Sequence, residues 1–234
     1  MPVRAVVFDA GETLVHPSPS FPGLFAAVLA DAGHHRSPDD VIEASAAVFH
    51  RFGEAARANE LWTISPERSA RFWKGVYERM LDALSLPAVD GLRDRLYETF
   101  TDLRNYETFP DVEPAVTALT DAGFRLGIVS NFEAWLEDLL DHLGLRDRFP
   151  VRVISGIVGV EKPDPAIFAI AVERLELPPA QVAYVGDNPE FDVEAAHRAG
   201  LVPVLIDRRQ RFPGHEGHRI ADLREILDVV GAMP

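Results

Sequence analysis

Four segments of the chain share one pattern: a short run of apolar, mostly β-branched residues ends at a polar residue and is followed by a helical pattern. These segments are Val3–Asp9, Arg125–Ser130, Gln181–Asp187 and Val202–Asp207. Nearly continuous apolar runs are typical of parallel strands buried on both faces. The helical patterns between them cover Glu113–Gly123, Ala134–Leu143, Pro165–Leu177 and Glu190–Ala199. The alternation predicts an α/β fold with a doubly wound, Rossmann-like parallel sheet, to which the weaker run Val151–Ile157 could add a strand.

A block from about Pro19 to Thr101 breaks this alternation and contains no convincing strand pattern. Its amphipathic stretches are Pro22–Ala32, Asp39–Ala58, Pro66–Leu84 and Asp90–Asp102. The segments Val15–Phe21 and Asp102–Pro110 are rich in loop-favouring residues and are expected to link this block to the rest of the chain. We therefore expect an α/β core formed by residues 1–15 and 106–234, with a helical domain inserted over residues 16–105.

Composition narrows the functional classes. The 234 residues carry a formal net charge of −14, which disfavours binding to nucleic acid or to an anionic membrane surface. The chain has no cysteine, so disulfides and thiolate metal sites are excluded. Its apolar runs are too short to span a bilayer, and its first residues do not resemble a signal peptide. We expect a cytoplasmic protein, monomeric or homodimeric, that binds a small molecule.

Polar side chains end the predicted strands, where open α/β sheets bind their ligands. Asp9, Ser130 with Asn131, and Asp187 stand at these ends, and Lys162 lies in the loop after the weaker strand. Two carboxylates at one rim could bind a divalent cation, while a hydroxyl and an ammonium could bind a phosphate. The pattern therefore predicts a charged pocket at this edge of the sheet.

Four segments resemble, in order, the four motifs of the haloacid dehalogenase superfamily of hydrolases. They are Val6–Leu14, Ile128–Asn131, Glu161–Pro163 and Gly186–Asp192. Order and spacing agree over nearly the whole chain, including a helical cap between the first two motifs. Each motif alone is weak evidence, whereas four in order make a strong signal.

The resemblance implies a role for each matching residue. Asp9 would be the nucleophile and would form an aspartyl intermediate that water hydrolyses. Thr13 would position the transferred group, whose oxygens Ser130 and the backbone at Asn131 would bind. Lys162 would offset the negative charge around the nucleophile.

The resemblance also implies a magnesium cofactor. Its ligands would be Asp9, the backbone carbonyl of Gly11, Asp187 and Asp192. The expected activity is then a Mg²⁺-dependent phosphatase that acts on a small phosphorylated metabolite.

One position departs from the phosphatase pattern. The superfamily's phosphatases usually carry an acid–base aspartate two residues after the nucleophile, where this chain has Gly11. Glu12 is a candidate replacement. Dehalogenases of the superfamily also lack that aspartate, which makes a metal-independent 2-haloacid dehalogenase the main alternative, although Asp187 favours the metal-dependent branch. A member that binds ligand without turnover is a second alternative, and the long helical block argues against a third, a signalling receiver domain.

Overall fold

A six-stranded parallel sheet forms the centre of the computed structural model, which describes residues 2–48, 54, 60–86 and 91–232. In chain order the strands of the protein are β1 (Ala5–Phe8), β2 (Val15–Pro17), β3 (Tyr106–Thr108), β4 (Arg125–Ser130), β5 (Val151–Ile154), β6 (Val182–Gly186), β7 (Val202–Ile206) and β8 (His218–Ile220). The central sheet has the order β5-β4-β1-β6-β7-β8, while β2 and β3 pair separately. From β1 the chain builds outward first through β4 and β5 and then through β6, β7 and β8. The predicted doubly wound α/β fold is therefore confirmed.

Helices connect these strands. They are α1 (Phe21–Asp31), α2 (Pro38–Val48), α3 (Pro66–Ala83), α4 (Leu92–Phe100), α5 (Val112–Asp121), α6 (Leu136–His142), α7 (Ser155–Val158), α8 (Pro165–Leu175), α9 (Ala195–Arg198) and α10 (Ile226–Gly231). A π-helical turn, Pro189–Glu194, runs directly into α9. One face of the sheet is covered by apolar residues of α8, where Ile167 and Phe168 pack with Val7 and Tyr184 of the strands. None of the helices in the described part of the chain combines the length and apolar character needed to cross a membrane.

The chain divides into two compact units, which we call the α/β unit (residues 1–15 and 108–234) and the helical unit (residues 16–107). The sequence placed the second boundary two residues earlier, after residue 105. In the helical unit, Ser65 caps α3 by accepting a hydrogen bond from the backbone N–H of Arg68, and Pro66 occupies the first turn. Parts of the predicted helices Asp39–Ala58 and Asp90–Asp102 lie outside the described residues.

Three local predictions differ from the structure. The run Val151–Ile157 is a strand only to Ile154, after which the chain turns into α7. The segments expected to be irregular linkers contain β2 and β3, and Glu190–Ala199 begins as a π-helical turn. The edge strand β8 was not predicted.

Strand register brings the predicted polar residues to one edge of the sheet. Phe8 of β1 lies opposite Ile128 of β4 and Val185 of β6. The backbone N–H of Asp9 continues this pairing by donating to the Val185 carbonyl over 2.8 Å. The carboxyl ends of β1, β4 and β6 are therefore level, and the residues after them meet.

Candidate active site

Lys162 lies at the centre of a buried polar cluster. Its ammonium Nζ donates to Asp9 Oδ1 over 2.8 Å, to Asp192 Oδ1 over 2.6 Å and to the Tyr184 hydroxyl over 3.0 Å. The residue is only 3% exposed. Because an ammonium has three protons, these contacts use its full donor capacity and hold it in one position.

Two carboxylates keep this ammonium charged. Burial alone would lower the pKa of Lys162, but Asp192 and Asp9 outweigh that effect and raise the pKa above its usual value. For Asp9, burial has the opposite effect and raises the pKa, while Lys162 opposes that rise. Asp9 is therefore a nucleophile candidate that is held beside a fixed cation.

A third carboxylate completes an acidic cluster. Oxygen atoms of Asp9, Asp187 and Asp192 lie within 4.8 Å of one another. Burial, with the nearby charges of Asp192 and Asp9, raises the pKa of Asp187 to about 8. Carboxylate oxygens are the ligands that hard divalent cations prefer, and such a cation would relieve the repulsion that one ammonium leaves uncompensated. The donor set fits Mg²⁺.

Asp192 is held in place by the backbone of the fourth motif. Its Oδ2 accepts a hydrogen bond of 2.9 Å from the backbone N–H of Asn188. The side chain of Asn188 caps the π-helical turn by accepting from the N–H groups of Glu190 and Phe191. Gly186 lets the carboxylate approach, because a Cβ built there would stand 2.3 Å from Asp192 Cγ.

Replacing Gly186 with alanine is expected to displace the Asp192 carboxylate and destabilise the fold. Overpacking of this kind lowers the free energy of unfolding by about 1–3 kcal/mol, which urea denaturation measures. Gly214→Ala is the matched control, because a Cβ there meets no heavy atom within 4 Å. We expect the control to change stability by less than about 0.5 kcal/mol. Equal stability of Gly186→Ala and the unmodified protein would contradict the close packing.

The second motif supports both the nucleophile and the lysine. The Ser130 side chain hydrogen-bonds to Asp9 and so opposes the rise that burial causes in the pKa of this carboxyl group. The Asn131 amide donates to the Lys162 carbonyl over 2.7 Å and accepts from the Lys162 N–H over 2.6 Å. Asn131 thus fixes the lysine loop with its side chain, which leaves its backbone for the predicted substrate contact. Thr13 is fully buried, and its hydroxyl has no hydrogen-bond partner among the described residues.

Gly11 and Glu12 form the turn after the nucleophile. Glu12 has a φ of 55°, in the left-handed region, and its carboxylate Oε2 lies 3.3 Å from Arg209 Nη2. It does not join the cluster of Asp9, Asp187 and Asp192. A Cβ built on Gly11 would meet no heavy atom within 4 Å, so this position borders open space.

The loop after β7 brings arginines to the site, which the sequence analysis missed. Arg211 Nη2 lies 3.3 Å from Asp187 Oδ2. Arg208 Nη2 donates to the Thr13 carbonyl over 2.9 Å and so supports the first motif. The loop is built on buried Asp207, which accepts the backbone N–H groups of Arg211 and Phe212. The only signal was that Asp207 ends a strand, as the other candidates do.

Tyr184 is the other residue that sequence reasoning missed. It lies within β6, where an aromatic residue is typical of the core. The hydroxyl of Tyr184 donates to the Val129 carbonyl over 2.8 Å while it accepts from Lys162. The continuous apolar pattern of the strand gave no sign of this second function.

Comparison with known proteins identifies the family of the chain. A family model described as haloacid dehalogenase-like hydrolase matches residues 3–200. Haloacid dehalogenase-like hydrolase domain-containing protein 3 of Danio rerio is 29% identical, over 100% of this chain and 96% of its own. The glyceraldehyde 3-phosphate phosphatase of Methanopyrus kandleri is 39% identical, over 52% of this chain and 56% of its own. The (S)-2-haloacid dehalogenase 4A of Burkholderia cepacia is 27% identical, over 96% and 93%.

A solved structure agrees with the fold. The HAD phosphatase of Thermococcus onnurineus has a TM-score of 0.61 and 23% identity, over 98% of each chain. The relatives include phosphatases and a dehalogenase, so they identify a hydrolase without identifying the bond that it cleaves. Because the family model spans residues 3–200 and its motifs meet around Lys162, the chain belongs to the haloacid dehalogenase-like hydrolases.

Proposed function

We propose that this protein is a Mg²⁺-dependent phosphatase of small phosphorylated metabolites. The acidic cluster carries the proposal: oxygens of Asp9, Asp187 and Asp192 lie within 4.8 Å of one another. Hydrolysis of a carbon–halogen bond by Asp9 would need no such cluster, whereas phosphoryl transfer benefits from a cation that neutralises the phosphoryl oxygens. The phosphatase among the relatives supports the same choice.

Asp9 would attack the phosphorus atom and form an aspartyl phosphate, which water then hydrolyses. Lys162 holds Asp9 Oδ1 at 2.8 Å and thereby orients the attacking carboxylate. Ser130, the buried Thr13 hydroxyl and the backbone N–H at Asn131 would bind the phosphoryl oxygens. This arrangement works by positioning and by electrostatic stabilisation of the transition state.

The cation site would consist of Asp9, Asp187 and Asp192 with the carbonyl of Gly11. If Mg²⁺ binds there, it would act as a Lewis acid that withdraws charge from the phosphoryl group. Within the chain itself, Arg211 balances part of the charge of Asp187 and Lys162 balances that of Asp192.

The helical unit (residues 16–107) would serve as the cap domain that the sequence placed over residues 16–105. A cap that closes over such a site excludes water and selects the substrate. The substrate, a small phosphorylated molecule, would therefore be chosen by residues of this unit. Cytoplasmic location and a monomeric or homodimeric state complete the proposal.

Glu12 stays a candidate acid–base residue. Its carboxylate Oε2 lies 3.3 Å from Arg209 Nη2, so the side chain is turned toward the loop after β7. Without efficient acid–base chemistry, the protein would be slow, or would bind ligand without turnover.

The rival is a metal-independent 2-haloacid dehalogenase. Gly11 favours it, because a halide leaves without a proton and needs no acid at that position. The dehalogenase relative aligns over 96% of this chain. The same Asp9 would then attack carbon, and the acidic cluster would have no function.

One assay separates these functions. Purified protein is tested on 4-nitrophenyl phosphate with Mg²⁺ and with a chelator, and on 2-chloropropionate with detection of chloride. We expect phosphate release that depends on Mg²⁺ and no chloride. Chloride release without phosphate release would establish the dehalogenase, and no turnover of either compound would favour a binding function.

A further inference from the structure

We propose that Arg209 and Arg211, which we call the rim arginines, bind a second anionic group of the substrate. The preferred substrates are then phosphate monoesters whose organic part carries a carboxylate or a comparable anion near the ester bond. This inference rests on the proposed phosphatase function and names its substrate class. It is carried by two exposed guanidinium groups that the loop after β7 places beside carboxylates of the site.

The acidic cluster by itself would repel a substrate that carries a negative charge besides its phosphate. Its three carboxylates, Asp9, Asp187 and Asp192, have oxygens within 4.8 Å of one another. Lys162 offers no contact to a second anionic group, because it is only 3% exposed and already donates its three protons within the site. A substrate with such a group therefore needs further cations at the edge of the site.

The rim arginines are cations of this kind. Arg211 Nη2 lies 3.3 Å from Asp187 Oδ2, and Arg209 Nη2 lies 3.3 Å from Glu12 Oε2. Their side chains are 40% and 54% exposed, respectively. Each guanidinium therefore touches a residue of the first or the fourth motif and still faces solvent, from which a substrate arrives.

Most hydrogen-bond donors of the rim arginines are unused. A guanidinium has five N–H donors. Within the part of the chain that the structure describes, each rim arginine donates from its guanidinium to one carboxylate oxygen only, over 3.3 Å. Charge-assisted hydrogen bonds are usually shorter, at about 2.7–2.9 Å. The remaining donors can make the two parallel hydrogen bonds by which a guanidinium binds a carboxylate.

The loop after β7 is fixed before any substrate binds. The buried carboxylate of Asp207 accepts the backbone N–H groups of Arg211 over 2.8 Å and of Phe212 over 2.9 Å. Arg208 anchors the same loop by donating to both carboxylate oxygens of Asp111. Arg208 thus has a structural contact, whereas the rim arginines beside it stay accessible. Because the backbone is already ordered, binding an anion there costs little conformational entropy.

The test uses two matched pairs of esters. They are 3-carboxyphenyl phosphate with 3-carbamoylphenyl phosphate, and 4-carboxyphenyl phosphate with 4-carbamoylphenyl phosphate. The amide has nearly the shape of the carboxylate but no charge. In the full-length protein at saturating Mg²⁺, kcat/KM is measured for each ester, and the carboxyl-to-carbamoyl ratio is taken within each pair. The leaving groups are the same for every variant, so a change in this ratio reports recognition of the carboxylate.

We expect Arg211→Gln to lower the ratio by about tenfold in at least one pair, the size of a charge-assisted hydrogen bond. The double variant Arg209→Gln/Arg211→Gln should lower it further. Arg224→Gln is the matched control, because it removes the same charge from an exposed arginine that pairs with Asp222 instead of a residue of the site. The control should leave the ratio unchanged. Thermal unfolding verifies that each variant folds.

Binding gives a readout that does not depend on turnover. In the Asp9→Asn protein, which lacks the nucleophile, calorimetric titration with the same esters measures the dissociation constants. We expect the carboxyphenyl ester to bind more tightly than its carbamoyl partner. Adding Arg211→Gln to this protein should remove the difference.

The outcomes separate this inference from the proposed phosphatase function. A carboxyl-to-carbamoyl ratio that the double variant leaves unchanged in both pairs would overturn the inference and leave the phosphatase standing. An equally large fall of the ratio in Arg224→Gln would also overturn it, because the effect would then come from the net charge of the protein. Failure to cleave any of the four esters would overturn the phosphatase and this inference with it.

Discussion

Replacing Asp9 with asparagine is expected to lower Mg²⁺-dependent turnover of 4-nitrophenyl phosphate by about 10⁴-fold or more, because the nucleophilic carboxylate is lost. The variant should still fold. Asparagine has nearly the same shape, and its amide oxygen can accept the bond that Lys162 Nζ makes to Asp9 Oδ1 over 2.8 Å. The measurement is kcat under saturating substrate and Mg²⁺, together with the thermal unfolding midpoint.

Asp138→Asn is the matched control for this variant. It makes the same chemical change on an exposed residue of α6, so turnover should be unchanged. A second readout is the acid-quenched enzyme, in which a phosphoryl adduct should form on the unmodified protein and be absent from Asp9→Asn. A variant that merely misplaces the substrate can lose about tenfold in activity. If Asp9→Asn kept more than about a tenth of the activity, Asp9 would therefore not be the nucleophile.

The sequence predicted best the strands that are buried on both faces. The apolar run Arg125–Ser130 coincides with β4, and β1 and β6 are buried at every position. In such a strand every residue must be apolar because both faces are buried, so the apolar run marks the extent of the strand. The edge strand β8 has only three residues, two of them exposed, and its pairing to β7 leaves no apolar run.

Strand β5 is shorter than its apolar run predicts, because it ends at a contact that is distant in sequence. Ser155 Oγ accepts the N–H of Phe132 and donates to its carbonyl, and the N–H of Gly156 donates to the same carbonyl. A Cβ on Gly156 would stand 2.6 Å from the backbone nitrogen of Ala134. The chain therefore leaves the sheet early because it docks against the loop after β4, a contact between residues more than 20 positions apart.

Some residues of the candidate site could likewise be predicted from the sequence and others could not. Asp9 and Asp187 could be predicted because parallel strands end at a common edge, and Lys162 because it is one of only two lysines in the chain. Tyr184 and Arg211 could not, since their roles depend on which side chains meet in space. Arg211 lies 24 residues after Asp187, and no spacing rule connects a loop arginine to a strand-end carboxylate.

Lys162→Met is the variant with the largest expected effect on stability. The substitution leaves Asp9 and Asp192 buried without their shared cation. Removing one partner of a buried ion pair costs about 3–5 kcal/mol of unfolding free energy, and turnover should be lost as well. Urea denaturation without divalent cations measures the first effect.

The other lysine of the chain supplies the control. Lys74 lies 2.8 Å from Asp94, but its side chain is 33% exposed, so Lys74→Met should cost no more than about 1 kcal/mol. Lys162→Arg is not expected to restore function, because a planar guanidinium cannot make the three converging contacts of the ammonium. Equal stability losses at the two lysines would contradict the buried-cation argument.

Magnesium gives this variant a further diagnostic property. If Asp9 and Asp192 belong to the cation site, losing Lys162 raises the negative charge that Mg²⁺ meets there. A ligand stabilises the folded state in proportion to the logarithm of its concentration relative to its dissociation constant. Added Mg²⁺ should therefore stabilise Lys162→Met more than the unmodified protein, as measured by the shift of the unfolding midpoint. An equal or smaller shift would indicate that Mg²⁺ does not bind the carboxylates that Lys162 contacts, because two cations that share the same carboxylates must affect each other's binding.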